Sequence, residues 1–165
     1  MLNIQRLLGF DFGLRRIGVA SGQMITRTAS PVTILLANDG IPDWAQVLKL
    51  VKQWRPDALL VGIPHNMDGS ECSVTLAAKK FLADLAAQQS IPVYPVDERL
   101  TTKEARQQLR DQGHHKKVDW KRVDAMAACL IVETWMNDQQ QPSFSLPTTS
   151  TPAINETTAD CKKTT

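Results

Sequence analysis

Apolar and polar positions alternate at strand spacing through the first forty residues and then settle into a helical period. Residues 6–12 and 16–21 read as the two arms of a hairpin turning through Gly13, and 26–36 supply a third antiparallel strand after Gly22. Ile41, Trp44, Val47, Leu48 and Val51 then mark one face of a helix over 42–54, with Pro42 in its opening turn. Arg55-Pro56 ends that helix, because a residue before proline avoids the helical region. The run Ala58-Leu59-Leu60-Val61 predicts a strand buried on both faces. Val74, Ala77, Ala78, Phe81, Leu82 and Leu85 form a single stripe on a second helix over 73–89. Val93-Tyr94-Pro95-Val96 reads as a strand that its neighbouring prolines confine to an edge. Thr101 with Glu104 makes a capping box for a helix reaching about Gln112, where Gly113 can stop it. A last helix starts near Trp120, capped by Asp119, and runs to about Asn137 with an apolar stripe of Val123, Ala127, Leu130, Ile131 and Thr134.

That order predicts an α/β fold: a mixed five-stranded sheet, three strands antiparallel and then two parallel, with helices on both faces. The end of the first strand then lies near the middle of the sheet. One domain is expected over 1–138. Residues 139–165 carry seven threonines, three prolines and little apolar clustering, so they cannot offset the entropy of ordering and are expected to form a disordered tail.

Composition adds little: 42% hydrophobic residues and a net charge of +2 are ordinary for a globular chain. The distribution of charge says more. Between Lys103 and Arg122 stand seven Lys or Arg against three acids, with His114 and His115 beside them. This is either a solvated helix and loop or a track for a polyanion. Cys72, Cys129 and Cys161 form no paired spacing, which argues against a disulfide framework or structural zinc and for a cytoplasmic setting. Arg6 and Asp11 interrupt the first apolar stretch, so neither a signal peptide nor a membrane span is expected there.

The candidate chemistry lies in three acidic segments. Phe10-Asp11-Phe12-Gly13 through Ile17-Gly18-Val19-Ala20 is a strand ending on a carboxylate, followed by a basic, glycine-bearing turn. Asp97-Glu98-Arg99-Leu100-Thr101-Thr102 closes a later strand, and Val123-Asp124-Ala125 opens the last helix. A mixed sheet can bring Asp11, Glu98 and Asp124 to one point, although they are far apart in sequence. Between these segments, Val61-Gly62-Ile63-Pro64 with Asn66-Met67-Asp68-Gly69 joins a buried strand to a helix start, where open sheets hold ligands.

These four ordered blocks resemble the YqgF/RuvX family of ribonuclease-H-fold proteins, known as pre-16S rRNA nucleases or Holliday-junction-resolvase-like proteins. The resemblance spans residues 6–138 and implies a ribonuclease-H-like fold, dependence on Mg²⁺ or Mn²⁺, and trimming of the 5′ end of the small-subunit rRNA precursor, with the pre-ribosomal particle as partner. Asp11 would then be the central metal ligand, with Glu98 and Asp124 outside it, in a site where two cations about 3.5–4 Å apart clamp an in-line displacement. Oxygen ligands suit such hard cations. Arg15, Arg16, Asn66, Gly69 and Arg99 would hold the nucleic-acid backbone. Arg106, Arg110, Lys116, Lys117 and Lys121 would form the electrostatic track, alongside His114, His115 and Arg122.

Alternatives stay open at each point. Asp97 competes with Glu98, since adjacent strand residues face opposite ways, and Asp97 suits a bond to the following turn. Asp119 competes with Asp124, and Asp68 is a further candidate. Arg99 can pair with Asp97 or Glu98 instead of a phosphate. His65 stands where the family has an aliphatic residue, as a surface substitution or a weak phosphate contact. Branched DNA would suit the same carboxylates as RNA does. A non-catalytic RNA-binding factor and a small ATPase-like domain are the readings from other classes, the last disfavoured by a chain too short for two lobes.

Overall fold

In this computed structural model residues 3–66, 68–100, 111 and 120–139 are described. The chain opens with β1 (Arg6–Asp11), β2 (Arg16–Gln23) and β3 (Thr28–Asn38), a meander in which each strand pairs antiparallel with the next. Asp39 and Gly40 both take positive φ, 50° and 82°, and turn the chain into the two-residue strand β4 (Ile41–Pro42), which pairs with Ala37 and Asn38. An Asp-Gly pair in the left-handed region is the hairpin turn that matches strand twist. This sixth strand is absent from the sequence reading. It also corrects the helix start: Pro42 belongs to β4, and Asp43 caps α1 (Trp44–Trp54) by accepting from the Ala45 N–H. The buried face of α1 is Val47 and Val51, with Trp44 and Leu50 packed beside them, whereas Ile41 and Leu48 are exposed. Arg55 leaves the helix in the left-handed region, φ 47°.

Next come β5 (Ala58–Ile63), buried at every position, then α2 (Ser73–Gln88), β6 (Val93–Asp97) and a 3-10 turn over Glu98–Leu100. The last described helix is α3 (Trp120–Asp138). Apart from Asp111 and Gln139, the expected helix over 101–112, the Asp119 cap and the tail lie outside the described residues. Sheet order is β4-β3-β2-β1-β5-β6, with β5 parallel to β1 and to β6. β1 is thus interior and β6 an edge.

Strand alternation sorts the core into two layers. Leu8, Phe10 and Phe12 face α1 and α2, where Phe81 meets the rings of Phe10, Phe12 and Trp44 at centroid distances of 5.7, 5.6 and 5.4 Å. Leu7, Ala20, Ala58, Leu60 and Val96 face α3 through Ala128, Ile131, Val132 and Trp135. The buried face of α3 is Ala125, Ala128, Cys129, Ile131, Val132, Trp135 and Met136, one step round from the predicted stripe.

Candidate active site

Asp11 is the last residue of β1 and shares a face with Leu7 and Gly9, so it points toward α3 rather than toward α1 and α2. Its cross-strand partners are Gly18 on β2 and Gly62 on β5. The row Gly18–Asp11–Gly62 therefore carries one side chain between two positions that have none.

What occupies the space left by those glycines defines the site. A Cβ at Gly62 would lie 3.1 Å from Glu98 Oε1 and 2.4 Å from Ile131 Cδ1. A Cβ at Gly18 would lie 2.1 Å from the carbonyl oxygen of Asp124. The glycines let Glu98 and the start of α3 close in on the two flanks of Asp11. Asp124 heads the helical row Asp124–Ala128–Ile131–Trp135, whose later members are buried against the sheet. Its own carboxylate is therefore carried onto the sheet face. Asp11, Glu98 and Asp124 all reach this one end of the α3 face, and all are partly buried.

Asp97 and Glu98 stand on different faces of the sheet end. Asp97 ends β6 in register with Ile63, on the opposite face from Gly62 and Val96. Glu98 is not a strand residue, because it opens the 3-10 turn, yet it continues the alternation onto the α3 face. Asp97 accepts from the Arg99 backbone N–H at 2.9 Å and from its guanidinium, Nε at 3.0 Å and Nη2 at 2.6 Å. Those bonds to the Arg99 side chain, then to its backbone, hold the Asp97 carboxyl below its ordinary range, against the opposing effect of burial.

His65 is not a surface substitution: it is partly buried, with Nδ1 3.6 Å from Asp97 Oδ1. Gly69, at φ 86°, lies so close to Arg99 that a Cβ there would be 2.8 Å from Nη1. Asn66 closes the loop by donating from Nδ2 to Ser70 Oγ at 2.9 Å, and Asp68 accepts from the Ser70 N–H at 2.8 Å. Asp97 and Arg99 thus tie the loop after β5 to the turn that carries Glu98. Thr75, a fully buried residue the sequence reading passed over, anchors the same loop. Its Oγ1 donates to Pro64 O and accepts from Cys72 N–H.

Arg16 opens β2, with Nε 3.2 Å from Asp124 Oδ2. That oxygen is shielded from solvent and accepts no hydrogen bond among the described residues, so the contact is one of charge. Arg15 is exposed beside it. A groove of about 430 Å³ runs between Asp11, Gly13, Arg15, Arg16 and Asp124. Among the described residues no three His, Cys, Asp or Glu side chains are gathered closely enough to ligate one ion as they stand. Arg106, Arg110, His114, His115, Lys116 and Lys117 lie outside the described residues, as do the side chains of Lys121 and Arg122.

The architecture is that of a ribonuclease-H-like protein. It superposes on RuvC of T. thermophilus in complex with a Holliday junction substrate with a TM-score of 0.54, at 17% identity over 82% of this chain and 97% of that one. A Fowlpox virus resolvase in complex with substrate Holliday junction DNA gives 0.50, at 10% identity over 83% and 100%. At such identities the likeness concerns the fold. The family model described as "RuvX: Holliday junction resolvase" matches residues 5–138, and the chain belongs to that family. It is 49% identical over 133 residues to a Coxiella burnetii (strain Dugway 5J108-111) protein named "Putative pre-16S rRNA nuclease", covering 81% of this chain and 93% of the relative. A Legionella pneumophila (strain Lens) protein of the same name is 47% identical over 133 residues, with 81% and 96% covered. Membership supports a nuclease role for this chain. No helix among the described residues is long and apolar enough to cross a membrane.

Proposed function

We propose that the chain is a metal-dependent nuclease whose working residues are Asp11, Glu98 and Asp124, and that its substrate is the 5′ end of precursor 16S rRNA. The observation that carries this reading is the glycine row: Asp11 stands between Gly18 and Gly62, with Asp124 and Glu98 packed into the spaces beside it. The glycines let two acidic residues approach a third on the sheet face, a local departure from apolar packing that a binding site can explain. The donor set fits Mg²⁺ or Mn²⁺, since it is oxygen throughout and includes a shielded Asp124 oxygen with no hydrogen bond among the described residues. Asp11 would hold the ion centrally, with Glu98 and Asp124 on either side. When bound, such cations neutralise the scissile phosphate and make water acidic enough to attack it without a protein nucleophile.

The other residues bind and orient. Arg15 and Arg16 face the groove and would neutralise backbone phosphates beside the scissile one. Asn66 and Gly69 would present the loop to the strand, and Arg99 would hold that loop in register through Asp97. Arg106, Arg110, Lys116, Lys117 and Lys121 would lend salt-sensitive, sequence-independent affinity. A pre-ribosomal particle in the cytoplasm is the setting this substrate requires.

Branched DNA is the second reading, favoured by the family description and by the Holliday junctions bound to the fold's neighbours. One assay separates the two. A 5′-extended 16S precursor RNA and a four-way DNA junction are incubated with the protein and Mg²⁺, Mn²⁺ or EDTA, alongside D11N. The proposal expects metal-dependent RNA cleavage that D11N abolishes while RNA binding persists. Preferential junction cleavage would favour the second reading. Cleavage in EDTA, or full turnover by D11N, would overturn the metal-site reading.

A further inference from the structure

We propose that Arg16 is a built-in competitor for the candidate metal ligand Asp124, so that loading a divalent ion releases this arginine to the nucleic-acid backbone. The inference rests on the reading of Asp124 as a ligand. Its basis is positional. Gly13 makes a tight hairpin, in which a Cβ would lie 2.5 Å from the Arg16 carbonyl oxygen, and this fixes Arg16 at the mouth of the groove. Two residues on, Gly18 admits the α3 backbone at Asp124 and Ala125 onto the same face, which brings Asp124 against Arg16.

The pair is asymmetric. The Arg16 side chain is 45% exposed and Asp124 30%, while the paired oxygen Oδ2 is shielded. Arg16 can therefore swing into solvent or onto a ligand, whereas the carboxylate stays with its helix. A guanidinium and a divalent cation cannot both sit close to one oxygen, because like charges so placed repel strongly. The two cations therefore compete for Oδ2, and Arg16 freed from Asp124 faces the groove where a phosphate would lie. Ion binding and polyanion binding then reinforce one another, and linkage makes the effect reciprocal.

Half-exposed ion pairs are weak, so displacing Arg16 costs a small factor rather than a prohibitive one. The test is Mn²⁺ binding without nucleic acid, read from the electron paramagnetic resonance of free Mn²⁺, for wild type, R16Q, R16K, D124N and R16Q/D124N, each checked for folding by circular dichroism. R16Q should bind Mn²⁺ roughly two- to fivefold more tightly, on the scale of a partly exposed ion pair. R16K should resemble wild type, and the gain should vanish in the D124N background. If D124N weakens binding but R16Q leaves it unchanged or weaker, the competition is overturned while the metal-site reading stands. Unchanged binding by D124N removes Asp124 as a ligand and overturns both.

Discussion

Gly18→Ala probes the close approach of α3 to the sheet on which the candidate site depends. The added Cβ would lie 2.1 Å from the Asp124 carbonyl oxygen and 2.7 Å from its carbonyl carbon, where real contacts do not fall below 3.0 Å. Opening the shorter contact to that limit moves α3 around Asp124, or the start of β2, by about 1 Å. Overpacking of this kind costs about 1–3 kcal/mol. The melting temperature then falls by roughly 2–12 °C for a chain of this size. A displacement of 1 Å at a reacting centre costs on the order of 10²-fold in rate. Gly9→Ala is the matched control: its Cβ would meet Val132 Cγ2 at 2.3 Å, in the same interface but against the end of a side chain. Val132→Ala should partly relieve G9A, with a coupling of about 0.5–3 kcal/mol in a double-mutant cycle, and should not relieve G18A. Urea denaturation gives the energies, and nuclease rates well below the melting temperature give the rest. A G18A variant with wild-type stability, or one rescued by V132A, would refute the reasoning.

Three further outcomes follow from other parts of the structure. Thr75→Val keeps the shape but strands Pro64 O and the Cys72 N–H, so it should cost about 1–3 kcal/mol in urea denaturation, and no loss would contradict the anchoring role. The Asp97 carboxyl is held below its ordinary 3.8 chiefly by the Arg99 side chain, so its contribution is present above that value and is lost as pH falls through the lower folded value. D97N should be less stable than wild type at pH 7 by roughly 0.5–1.5 kcal/mol, a gap that closes in acid denaturation curves below about pH 4. Burial, reinforced by Glu133, pushes the Cys129 thiol up to about 11 from 9.0, so peptide mapping should find it unalkylated by iodoacetamide at pH 8 until the protein unfolds.

The fold was largely legible because its strands and its second helix obey simple periods. Phe10 and Asp11 fall on opposite faces by alternation alone, and Ala58-Leu59-Leu60-Val61 reads as a strand covered on both sides. The last helix was read one step out of phase for a physical reason. It lies against Gly9, Gly18 and Gly22, so its buried face is carried by the small residues Ala125, Ala128 and Cys129 as well as by bulky ones. Leu130, a bulky member of the expected stripe, is only partly buried. The Asp39-Gly40 turn and β4 were missed because the helical period starting at Ile41 overrode a local hairpin signal. At the candidate site, the three acids were nameable from their segments. Gly18 and Gly62 as the spaces that admit Asp124 and Glu98, Arg16 as the partner of Asp124, and His65 as a neighbour of Asp97 needed strand register. Pairing across a sheet is not written in any one segment.

The most direct measurement is anomalous diffraction from crystals of the full chain soaked in Mn²⁺. Manganese within coordinating distance of Asp11, Glu98 and Asp124, with Arg16 withdrawn from Asp124, is the predicted result. Manganese bound elsewhere, or an ion at Asp11 that engages neither of the other two acids, would contradict it.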